Sequence, residues 1–109
     1  MNRYLFRFGF CTPAQWASNQ AHGLDDENSS AFFVSAETED AALDIGAEIA
    51  EQYVGYLFMK ENAKEMPSWK ASKFAFWIEK KPLEVFAAES LAQLPEVGLR
   101  QVPDFGRWN

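Results

Sequence analysis

The chain opens on strict alternation. In RYLFRFGF the side chains of Tyr4, Phe6, Phe8 and Phe10 fall on one face, and Arg3, Leu5, Arg7 and Gly9 on the other. That period of two is the mark of a half-buried strand with an aromatic inner face. A short helix is expected over CTPAQWASNQAHG: Thr12 suits the N-cap, Pro13 the first helical position and Gly23 the end, with Trp16 as its anchor to the core. LDDENSS then reads as a loop. AFFVSA, residues 31–36, reads as a second strand, because it is a short run of apolar, aromatic and branched residues.

The strongest periodicity follows. Thr38 can cap a helix whose first turn holds Glu39 and Asp40, two carboxylates at the positive end of the helix dipole. The helix is expected to reach about Asn62, since Pro67 allows little more. Ala42, Ile45, Gly46, Ile49, Ala50, Tyr53, Tyr56 and Leu57 recur at helical spacing as one apolar face. Gly46 and the alanines would let the helix lie close to a sheet. ENAKEMPSWKAS is a connecting loop, and KFAFWIE, residues 73–79, a third strand. In it Phe74, Phe76 and Ile78 point one way, and Ala75, Trp77 and Glu79 the other.

Residues 83–94 satisfy two templates. Leu83, Phe86, Ala87, Ser90, Leu91 and Leu94 have helical spacing after Pro82, yet LEVFAA can equally be a strand paired through Lys80-Lys81-Pro82, with a helical turn after it. VGLRQV reads as a last short strand and PDFGRWN as a tail. The pattern predicts a single domain over residues 1–109 of α+β class. It would have a three- or four-stranded, mostly antiparallel sheet with one long amphipathic helix on one face, ferredoxin-like in outline only. The strand–helix–strand unit from Ala31 to Glu79 is expected to form a right-handed crossover.

Composition fits this size of core: 109 residues, 48% apolar and 16% aromatic. Such a chain can fold without metals or cross-links. A single cysteine, Cys11, makes no internal disulfide and fits a reducing compartment. No apolar run approaches the ~18 residues of a membrane span, and no leader pattern is visible. These readings place the chain in the cytoplasm.

Charge changes the picture more. The formal net charge is -6, and it is unevenly distributed. Between Phe8 and Met59 there is no lysine or arginine, only the acids Asp25, Asp26, Glu27, Glu37, Glu39, Asp40, Asp44, Glu48 and Glu51. Asp40, Asp44 and Glu48 stand at i, i+4 steps on the side of the helix opposite its apolar face. Like charges at that spacing destabilise a helix by a few tenths of a kcal/mol per pair. Such a surface repels nucleic acid and anionic lipid and attracts a basic partner. The ordinary alternative is a solvated face that keeps the protein soluble.

Candidate chemistry is sparse. His22, the one histidine, precedes Asp25, Asp26 and Glu27. It has no histidine or cysteine at zinc-ligand spacing, and the loop lacks the turn glycine of a calcium loop. A dyad of His22 with Cys11 needs geometry that spacing does not supply, and the surrounding acids would blunt the thiol. Asp104-Phe105-Gly106 spells a kinase metal-binding triplet without the rest of that machinery. Lys70 and Lys73 among aromatics have a faint nucleic-acid flavour, which the overall acidity opposes.

No cofactor is expected. The leading expectation is a small non-catalytic binding protein, of immunity- or inhibitor-like physical type. It would dock a basic protein through Asp25, Asp26, Glu27, Asp40, Asp44, Glu48 and Glu51. The alternatives are a homo-oligomer using Trp77 with Ala75 at an open sheet face or edge, and an enzyme using His22 with Cys11 or the loop carboxylates.

Overall fold

The computed structural model describes residues 1–98 and 103–108. Its elements are β1 (Asn2–Phe10), α1 (Pro13–His22), β2 (Asn28–Ala36), α2 (Glu39–Lys60), β3 (Phe76–Glu79), α3 (Pro82–Val85), α4 (Ala88–Gln93) and β4 (Glu96–Val97), followed by a 3-10 turn at Phe105–Arg107. The strands form one mixed sheet in the order β3-β1-β2-β4. β1 is antiparallel to both neighbours, with Phe6 opposite Phe32 and Ile78; β2 and β4 are parallel. Because β2 and β3 both oppose β1, they run in the same direction, and α2 carries the chain from one to the other past β1. The fold is α+β, with the long helix packed on the sheet.

Local chemistry explains the helix ends. Thr12 accepts from the Gln15 backbone N–H at 3.1 Å, and the Gln15 side chain accepts from the Thr12 N–H at 3.0 Å, a reciprocal capping box. Gly23 closes α1 in the left-handed conformation at φ 65°, which glycine adopts without steric cost. Thr38 caps α2 through the Ala41 N–H. α2 lies so close to β1 that a Cβ at Gly46 would overlap the Phe6 ring.

The principal core is aromatic. Phe6, Phe8, Phe10 and Phe32 on the sheet meet Ile49, Ala50, Tyr53, Val54 and Phe58 of α2. Trp69 is buried among them, edge-on to Phe8 at 5.9 Å, with its indole N–H donating to the Gly9 carbonyl at 2.8 Å. Trp108 packs 5.2 Å from both Phe32 and Tyr53. Phe105 and Trp108 therefore pack against the core, where a tail was expected.

Several expectations are corrected. β2 begins at Asn28, three residues before the apolar run, because Asn28, Ser29 and Ser30 pair with Phe10, Gly9 and Phe8 of a longer β1. β3 is confined to Phe76–Glu79, and Lys73, three residues before it, has φ 59°, incompatible with a strand. Residues 83–94 are neither one helix nor a strand: two short helices flank an extended Phe86. That break lets Phe86, Leu91 and Leu94 cover a second small cluster of Leu5, Ala31 and Phe33 on the far face of the sheet, while Leu83 stays exposed. β1 is thus covered on both sides. Of VGLRQV, Val97 ends β4, and residues 99–102 lie outside the described residues.

Candidate functional site

The structure separates the acidic residues into two groups. Asp25, Asp26 and Glu27 lie just before β2, whereas Asp40 and Asp44 lie just after it. Eight strand steps between Asn28 and Ala36 put roughly 26 Å between those ends. From Asp40 the ridge runs back along α2, about 16 Å to Glu51.

The segment between α2 and β3 crosses the space between the groups. Lys70 forms an ion pair with Glu48. Glu51 accepts from the Ser68 hydroxyl at 3.0 Å and from the Lys70 backbone N–H at 2.6 Å. Farther along the same segment, Ser72 and Phe74 share a cavity of about 320 Å³ with Cys11, Asp25, Asp26 and Glu27. Lys80 reaches Glu39 at 3.4 Å. The stretch that lacks lysine in sequence therefore receives two lysines in space. Asp40 and Asp44 remain exposed, and no ion pair reaches them among the described residues.

The loop after α1 is held by side chains of α1 itself. Asn19 donates to the Asp26 carbonyl at 2.8 Å and accepts from the Asp26 N–H at 3.2 Å. Gln15 donates to Asn28 at 3.0 Å. The Glu27 carboxylate lies over Gly9, with an oxygen 3.0 Å from where a Cβ would stand. Cys11 is buried, and its thiol donates to the same Asp26 carbonyl at 3.2 Å. Burial pushes the Cys11 thiol above its ordinary value; the Glu27 charge adds to the rise, and the Asn19 hydrogen bond opposes it. A thiol held protonated is a poor nucleophile. His22 ends α1 as an exposed residue and does not line the cavity that Cys11 shares. Among the described residues no three His, Cys, Asp or Glu side chains converge as a metal site.

Two further features escaped the sequence reading. On the far face of the sheet, Arg7 pairs with Glu79 at 3.0 Å and lies 4.9 Å from the Trp77 ring and 5.2 Å from the Phe86 ring. The hydrogen bond from Arg7 holds the Glu79 carboxyl below the usual carboxylate range, helped by the Lys81 N–H. The alternation of Arg7 and Glu79 onto the Trp77 face was the available signal. The second feature is a half-open groove of about 470 Å³ between α1 and the end of α2, where Trp16 and Phe58 meet Glu61 and Lys64. The Trp16 indole N–H is held there by Glu65 at 3.1 Å.

Comparison with protein-family models, with curated proteins and with solved structures finds no match. Among the described residues no helix is long and apolar enough to cross a membrane.

Proposed function

We infer that the protein is a small non-catalytic binding module that docks a basic protein partner on the outer side of α2. One observation carries this reading: Asp40 and Asp44 stand one helical turn apart, exposed, and unpaired among the described residues. Two neighbouring carboxylates of the helix are paired within the chain, Glu39 with Lys80 and Glu48 with Lys70. Two like charges left bare on one helix face cost a little stability and gain a field that steers a cationic surface. The loop acids Asp25, Asp26 and Glu27 stand at the other end of β2 and form a separate patch. The thiol chemistry of Cys11 supports no competing enzymatic reading, since the group is buried, hydrogen-bonded and raised in pKa.

The test is retention of basic proteins from lysate on the immobilised protein at low salt. Asp40→Lys with Asp44→Lys should abolish retention. Glu61→Lys with Glu89→Lys, which changes net charge equally elsewhere, should leave it largely intact. Equal retention by wild type and by the Asp40/Asp44 pair would overturn the reading.

A further inference from the structure

We propose that β3 is the self-association edge of this protein, joining two copies by antiparallel β3–β3 pairing into one continuous eight-stranded sheet with Trp77 on the two-fold axis. Hydrogen-bond parity decides which backbone groups of β3 are open. The Gly9 N–H donates to the Ala75 carbonyl at 2.9 Å, and the same register sets Arg7 opposite Trp77 and Leu5 opposite Glu79. In an antiparallel ladder alternate residues direct both N–H and C=O to the same side. Ala75, Trp77 and Glu79 therefore face β1, and the backbone groups of Phe76 and Ile78 face outward. β3 ends the sheet on that side, and no hydrogen bond reaches those four groups among the described residues.

This edge is self-complementary. Phe76 and Ile78 flank Trp77 symmetrically. Only the antiparallel register that sets Phe76 opposite Ile78 of the second copy satisfies all four outward groups within the strand. That register closes by a two-fold rotation, the commonest symmetry of soluble oligomers. It places Trp77 against Trp77 of the second copy in the closer, non-hydrogen-bonded pair, where cross-strand aromatic contact is most direct. The surroundings agree. Phe76 is 43% exposed and Trp77 38%, two large aromatic groups left open on the edge strand itself.

Charge selects a second copy of this chain as the occupant. Residues 73–85 carry Lys73, Lys80 and Lys81 against Glu79 and Glu84, a net of +1, leaving -7 for the rest of the chain's -6 total. Two acidic molecules approach each other with least repulsion where carboxylates are offset by cations, as Glu79 is by Arg7 and Glu39 by Lys80, and such an edge carries no net negative field to draw a strongly basic peptide. Four residues of strand make a small interface, so association is weak and depends on concentration.

Sedimentation equilibrium of the wild-type chain from about 10 μM to about 1 mM, the range of weak association, decides the matter. A monomer–dimer equilibrium is expected, abolished by Trp77→Glu, which sets two carboxylates across the axis. Phe76→Pro removes an outward N–H at the strand start and should weaken it also. In a Cys11→Ser background, Trp77→Cys should form an intermolecular disulfide under mild oxidation, because opposed non-hydrogen-bonded residues have the required Cα separation, while Glu79→Cys should not. A strict monomer at about 1 mM overturns the proposal. So does a dimer indifferent to both β3 variants, or a monomer that binds only an unrelated extended peptide along β3.

Discussion

At Cys11, burial and the Glu27 and Asp26 charges raise the thiol pKa against the opposing Asn19 hydrogen bond, and the net effect can be measured directly. A disulfide-exchange reagent at pH 7.5 should modify the native thiol about tenfold or more slowly than the thiol of the denaturant-unfolded chain. Equal rates would mean that the loop opens freely. The sign of the pH effect follows as well. A thiol raised in the folded state favours the native protein below its unfolded pKa of about 8.5, and the contribution fades as pH rises through the folded value. Gly46 offers a second residue-scale test. An added methyl meets the Phe6 ring, itself fixed in the core, so Gly46→Ala should lower stability by roughly 1–3 kcal/mol despite alanine's better helix propensity. A gain in the urea midpoint would show that α2 can move off the sheet. The role of Gly46 was readable from its place in the apolar face. The blunting of Cys11 by nearby acids was readable as well; its hydrogen-bond partners Asn19 and Asp26 were not, because the turn at Gly23 brings them to it.

Elements were legible in proportion to how local their causes are. α1 and α2 could be read from Thr12, Pro13, Gly23 and Thr38, residues that act within one helical turn. Gln15 completes a Thr-x-x-Gln capping box that was equally present in the sequence. Thr12→Ala should therefore cost about 1 kcal/mol or somewhat more, since it removes the first half of a reciprocal pair, whereas Thr38→Ala removes a single bond. Equal denaturation midpoints for the two variants would deny the box any additional weight. The polar start of β2 was illegible for a nonlocal reason: Asn28, Ser29 and Ser30 are held extended by β1, not by their own propensity. Residues 83–94 were ambiguous because their apolar spacing answers to Leu5, Ala31 and Phe33 on a distant strand. Trp69 makes the same point for a loop. Its partners Gly9 and Phe8 lie some sixty residues earlier, and Trp69→Phe, which leaves the Gly9 carbonyl without its donor, should cost roughly 1–3 kcal/mol.

At the scale of the whole molecule, the charge pattern and its spatial arrangement differ, and the difference decides which forces dominate. Read along the chain, the acidic half stands alone; folded, Lys70 and Lys80 return to Glu48 and Glu39. Both are surface pairs, and such pairs contribute about 0–1 kcal/mol each, so they soften the acidic field without cancelling a net charge of -6. The molecule measures 43 × 29 × 24 Å. At about 10 mM salt the screening length is roughly 30 Å, so every charge acts on nearly every other; near 0.15 M it is about 8 Å, and only neighbours interact. Self-repulsion is thus lost on adding salt, while the close pairs lose less. The midpoint of thermal unfolding should rise between those salt concentrations, and Asp44→Lys should flatten the dependence by removing one bare charge and reducing the total. A midpoint that falls with salt would mean that the ion pairs outweigh the repulsion. The ridge on α2 would then be balanced within the fold, with no surplus field left to steer a partner.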